Sequence, residues 1–187
     1  MFSYSLALFA ASCAALLTDA HPLEARQAVA TDATFRIWAY GEGISGLPLF
    51  FADNIAQIGD PAVSTAENRQ PVYFTVSENS RNTWIAHPNT TQSDFATASF
   101  ESAVLSLPSS DSDRFVQLQE PTPGALSSPD ANVFSYYGDY VMIDIENANF
   151  YAVPTDTEGV YSLVWSDVAS DDIFVVLRTN PPVDLSY

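Results

Sequence analysis

The sequence predicts an all-β fold: a single-domain antiparallel β-sandwich or flattened β-barrel of about ten to twelve short strands, with a β-trefoil as the alternative. Three observations predict it. Apolar and polar residues alternate in one short run after another, the mark of strands with one buried face. Gly, Pro, Asn and Asp gather between the runs, where turns need them. No period of about 20–50 residues repeats, which sets propellers and solenoids aside.

Thr34–Tyr40 puts Phe35, Ile37 and Ala39 on one face and Arg36, Trp38 and Tyr40 on the other. Gly41–Gly46 holds three glycines. It lacks the Lys-Ser/Thr and the following helix of a phosphate-binding loop, so it reads as a flexible turn. Leu47–Ala52 and Ile55–Ile58 flank Asp53-Asn54, residue types that tolerate positive φ, and predict a tight hairpin. Pro48 places the first arm at a sheet edge or a strand end. Pro71–Ser77 and Thr83–Ala86 are further strands, closed off by His87-Pro88. Asp94 suits the cap of a short helix, whereas Ala103–Leu107 alternates as a strand. Arg114–Gln119 alternates as well, Glu120–Ala131 with three prolines is a long surface loop, and Asn132–Tyr137 is a short strand. From Tyr140 to Trp165 three runs (Val141–Ile145, Phe150–Val153 and Val160–Trp165) predict a three-strand meander against which the rest of the chain packs. Ile173–Arg178 is an unbroken apolar run suited to a central strand, and Pro181-Pro182 ends it.

Met1–Ala20 carries an apolar run, Leu6–Leu17, too short to span a bilayer, with small residues toward Ala20; it reads as a secretory signal peptide. Residues 21–26, ending in Arg26 before Gln27, are similar to the propeptides of fungal secreted proteins, which leaves 27–187 as one β-domain. The chain's one cysteine, Cys13, falls in the signal, so the mature domain is expected to have neither disulfide nor thiol chemistry. The formal net charge is −17, with 23 acidic residues and no lysine. Such a charge repels nucleic acid and anionic membranes, so neither is expected as a partner once the signal is removed. Asn89-Thr90-Thr91 is an N-glycosylation acceptor with a permissive middle residue.

Met142-Ile-Asp144-Ile-Glu146 resembles the alternating acids of laminarinase-type jelly-roll glycosidases, but Met142 stands where the nucleophile should be, and retaining hydrolysis needs both carboxylates. There is no G-x-S-x-G, and His87 is the single histidine beyond residue 26, which argues against a serine triad. One histidine without cysteine does not build a usual zinc site. Asp111-Ser-Asp113 and Asp171-Asp172 gather oxygen ligands without the spacing of a calcium loop. The expectation is therefore no catalytic residue, no metal and no cofactor. Aromatic rings are the remaining signal. Trp38 and Tyr40 share a face, and Tyr136, Tyr137 and Tyr140 surround Gly138-Asp139. Rings beside carboxylates are what sugar-binding surfaces use, which makes Trp38, Tyr40, Tyr136, Tyr137, Asp139 and Tyr140 the candidate ligand-binding residues; core packing would employ the same rings equally well.

The hairpin GLPLFFADNIAQIGD (Gly46–Asp60), the segment FYAVPTDTEGVYSLVW and the closing FVVLRTNPP resemble small ascomycete secreted proteins of unknown activity. More remotely, the order of features, with PTPGALSSPDA (Pro121–Ala131) as the loop, resembles the PhiA-type fungal cell-wall proteins. That resemblance implies an extracellular or wall-associated fungal protein and transfers no catalytic residue. The leading expectation is thus a secreted, non-catalytic protein, structural or adhesive at the cell wall, with cell-wall polysaccharide as a partner. The rival is an effector or inhibitor that docks an extracellular protein through loops 86–99 or 120–131, and a jelly-roll glycosidase comes third.

Overall fold

A computed structural model describes residues 33–109, 113–122, 125–143, 145, 148–167 and 171–183. The described chain is all-β, and its helix is limited to two 3-10 turns, Ser93–Phe95 and Ala125–Ser127. The strands are β1 (Trp38–Gly41), β2 (Ile44–Ala52), β3 (Ile55–Ile58), β4 (Arg69–Ser77), β5 (Ser80–Pro88) and β6 (Ala103–Ser106). They continue with β7 (Gln117–Gln119), β8 (Phe134–Tyr137), β9 (Tyr140–Ile143), β10 (Asn149–Pro154), β11 (Tyr161–Ser166) and β12 (Ile173–Arg178). Ten of them close an antiparallel barrel in the order β1-β2-β4-β5-β6-β7-β3-β11-β10-β12, sealed by β12 against β1, and β9 and β8 extend outward from β12. Of the expected arrangements, the barrel is the one the chain adopts. Closure leaves few unpaired edges to protect.

Alternation along the strands fills the interior. Ile37 and Ala39, Phe74 and Val76, Trp84 and Ala86, and Val175 and Leu177 all point inward and are buried. Each large apolar side chain so buried contributes about 1.5–3 kcal/mol. The β2–β3 hairpin forms as its sequence predicts: Asp53 and Asn54 take φ of 47° and 71°, the left-handed pair that a two-residue hairpin turn of the I′ type requires. The Asp53 carboxylate also accepts the backbone N–H of Glu67 at 3.0 Å and of Asn68 at 2.8 Å, which ties the approach to β4 onto the turn.

Several expectations are corrected. The run from Tyr140 to Trp165 is not a meander: β10 and β11 form a hairpin, but β12 lies between β10 and β9, so β9 pairs with β8 and β12 instead. Ile173–Arg178 does take a central place as β12, with three strands pairing along its two edges, but it is covered on one face only: Val175 and Leu177 are buried and Phe174 is exposed. Pro48 lies inside β2, not at a sheet edge or strand end. It sits where β2 passes from β1 to its later partners, and there the missing N–H is harmless while its carbonyl accepts from Gly59 N–H at 3.0 Å. Gly41–Gly46 is mostly strand, and only Glu42-Gly43 turn. Ahead of β1, Phe35 makes a single bridge to Phe74, so Thr34–Tyr40 is not strand throughout. Phe115 likewise bridges only to Val164, ahead of the short β7.

Candidate functional site

The outer face of β1, β12 and β9 carries the site. Trp38 and Tyr40 on β1, Phe174, Val176 and Arg178 on β12, and Tyr140 and Met142 on β9 share that face, because their neighbours Ile37, Ala39, Val175, Leu177 and Val141 are committed to the interior. Register aligns Tyr40 with Val176, and Arg178 with Trp38 on one side and Tyr140 on the other. The guanidinium of Arg178 therefore lies between two rings, 5.4 Å from the centre of Tyr40 and 4.9 Å from that of Tyr140. Both distances are within cation–π range.

Asp139 completes the arrangement. Gly138 takes φ of 60° in the tight turn between β8 and β9, which brings the Asp139 carboxylate onto the end of β12. There Arg178 donates to it through Nε at 3.0 Å and also through Nη2, and Asn180 Nδ2 donates at 3.1 Å. The Asp139 carbonyl accepts from Thr179 N–H at 2.8 Å, and the Tyr40 hydroxyl donates to the Asn180 carbonyl at 3.1 Å. The Arg178 hydrogen bond holds the Asp139 carboxyl below its ordinary value, and the same bond raises Arg178. The turn and the strand end are thus pinned by charge.

Beside this latch runs an open groove of about 950 Å³. Tyr40, Tyr140, Phe174 and Val176 give it apolar walls, and Glu42, Asp171 and Asp172 bring carboxylates to it. Arg114 donates to Asp172 at 3.1 Å. The arrangement can stack flat apolar faces on rings and bond hydroxyl or amino groups to carboxylates.

The predicted residues divide three ways. Tyr40, Tyr140 and Asp139 come together around Arg178. Trp38 and Tyr137 flank the groove without lining it; Trp38 is half-buried, and Tyr137 is 65 % exposed. Tyr136 turns the other way, stacking on Trp84 at 4.7 Å and meeting Phe35 edge-on at 5.3 Å. Its buried hydroxyl finds no partner among the described residues, and burial pushes the phenol well above its ordinary pKa. Strand alternation sent Tyr136 inward and Tyr137 outward.

Arg178, Phe174 and Glu42 were not singled out by the sequence. An arginine ending an apolar strand, two residues before the prolines, is the one signal that pointed to the first of them.

The remaining candidates have simpler environments. Asn89 is half-buried at the end of β5, with its Oδ1 accepting from the Thr91 hydroxyl at 2.8 Å and N–H at 3.1 Å. His87 stacks on Tyr73 at 5.2 Å and bonds Thr75 Oγ1 at 2.9 Å; partial burial lowers its pKa. The Asp113 carboxylate accepts from Phe115 N–H and from Gln117 Nε2. Among the described residues no group of three or more His, Cys, Asp or Glu is placed to hold a metal ion. Asp111, Asp144, Glu146 and residues 1–26 lie outside the described residues. Comparison with protein-family models, with curated proteins and with solved structures finds no match for the chain.

Proposed function

We propose that the protein is a secreted, non-catalytic β-barrel that binds polysaccharide through the outer-face groove and acts structurally or adhesively at a fungal cell wall. The observation that carries this reading is the Tyr40–Arg178–Tyr140 sandwich locked by Asp139 at the head of an open, ring-walled groove. Rings held rigid before a ligand arrives lose little freedom on binding it. The non-catalytic part rests on the state of the carboxylates. Glycoside hydrolysis needs an acid whose pKa is raised by an apolar surround. Asp139 is instead lowered by Arg178, Asp172 is paired with Arg114, and Glu42 and Asp171 are exposed to water. Retention on insoluble β-glucan and chitin tests the reading. The protein should be retained, Tyr140→Ala should weaken retention about ten-fold, and no reducing sugar should be released. Retention unchanged by Tyr140→Ala would remove the groove from the function.

A second reading rests on the exposed row Tyr137, Tyr140, Met142, Ile145 and Phe174, apolar side chains of the kind that dock another protein. It replaces the loops 86–99 and 120–131 as the docking element. Both loops are fastened to the barrel, the first through Gln70 Nε2 bonding the carbonyls of Asn89 and Phe95 at 3.1 Å, the second through Thr83 Oγ1 bonding Leu126 O at 3.1 Å. Met142→Glu separates the readings: it should abolish protein docking and leave polysaccharide retention within about two-fold.

A further inference from the structure

Glu42 and Asp171 both open onto the groove, and neither has an ion-pair or hydrogen-bond partner among the described residues. Their placement follows from a close approach of two backbones. A Cβ on Gly41 would stand 2.5 Å from the Phe174 carbonyl oxygen, so only glycine lets the Glu42-Gly43 turn run alongside the start of β12. Arg178 is the cation that lines the groove among the described residues, and Asp139 already holds its guanidinium. A sugar stacked on Tyr140, Tyr40 or Phe174 therefore meets carboxylates that no groove cation neutralises. The Phe174 ring, over which Arg178 does not lie, favours the same sign of ligand, since its quadrupole attracts cations. The net charge of −17 deepens the field over the open groove. From Arg178 to Phe174 the groove follows five residues of β12, a rise of about 13 Å, the reach of a short oligosaccharide.

We infer that the ligand of this groove is a cationic polysaccharide, a β-linked polymer of amino sugars with free amino groups, as opposed to its acetylated or neutral counterparts. This rests on the sugar-binding reading above and adds the charge of the sugar to it. Ammonium groups on the polymer form charge-assisted hydrogen bonds with Glu42 and Asp171 while the sugar rings stack on the aromatic walls. An anionic polysaccharide meets the same carboxylates as repulsion.

The test compares calorimetric binding of glucosamine, N-acetylglucosamine and β-glucose hexamers to the full chain at about pH 5.5, where carboxylates are ionised and amines protonated. The glucosamine hexamer should bind about ten-fold tighter than either of the others, and the advantage should shrink as salt rises. Glu42→Gln with Asp171→Asn should erase the advantage by bringing glucosamine-hexamer binding down to the level of the acetylated hexamer. Glu101→Gln with Glu158→Gln removes the same charge at exposed positions outside the groove and should leave the advantage intact. If that second pair erases it equally, whole-chain charge is the cause and the inference is overturned. If all three hexamers bind alike, the inference falls while the sugar-binding reading stands. If none binds, both fall.

Discussion

Two aromatic clusters stand on opposite sides of the β8–β9 hairpin and are held together by different physics. In the buried core Trp84 stacks on Tyr136 and Phe134 at 4.7 and 5.2 Å, with Phe35 edge-on at 5.0 Å. Outside, Tyr40 and Tyr140 close on the Arg178 guanidinium, which Asp139 holds from the turn. The inner rings are stabilised by area removed from water and by one another. The outer rings keep much of their area wet, so their order depends on a cation and its carboxylate. The contrast teaches which tyrosines are free to meet a ligand: those whose position is set by charge, not by burial.

The strongest way to break the comparison is Trp84→Ala. Removing a fully buried indole that packs on three rings should cost about 3–5 kcal/mol in urea unfolding, close to the whole stability of many domains. A loss under about 1 kcal/mol would mean the inner cluster does not anchor the fold. Arg178→Gln comes next. It should lower the melting temperature far less than Trp84→Ala, yet speed amide exchange in β8 and β9 and abolish sugar retention, because the turn loses its anchor and the rings their spacer. Protection that stays unchanged in the hairpin would show that the latch does not hold it.

Tyr136→Phe sharpens the same contrast with the opposite sign. Its hydroxyl is buried without a partner among the described residues, so deleting it should leave stability unchanged or raise it by about 1 kcal/mol. The mirror substitution Tyr140→Phe should also be neutral for stability, since it keeps the ring over Arg178 and the latch bonds among the described residues do not use the Tyr140 hydroxyl.

The smallest effect concerns acid. The folded-state pKa of Asp139 is depressed, chiefly by its hydrogen bond from Arg178. As pH falls, the unfolded chain takes up this proton first, near the ordinary carboxylate value of about 3.9, so stability from the latch is whole above that value and is lost as pH drops through the folded pKa. Asp139→Asn should flatten that limb of the stability curve and leave the neutral region little changed. An identical acid limb in the variant would place the acid sensitivity elsewhere.

Much of the barrel was legible in the residues. Alternation placed Ile37 and Ala39 inward and Trp38 and Tyr40 outward, and Asp53-Asn54 announced its turn through residues that accept positive φ. Part of the site was legible on other grounds: Tyr40, Tyr140 and Asp139 stood out as rings beside an acid. Arg178 and Phe174 did not, because a residue about 40 positions away in sequence enters the site only through register, and register is set by partners the local pattern does not name.

The sequence alone determined where strands run and which face of each turns inward, because both follow from local periodicity and local turn chemistry. Tertiary structure decided that β12 parts β9 from β10, that β1 closes the ring, and that Arg178 lands between two tyrosines. Those outcomes depend on contacts far apart in the chain, where the competition among apolar edges for burial selects one pairing out of many that each strand would accept in isolation.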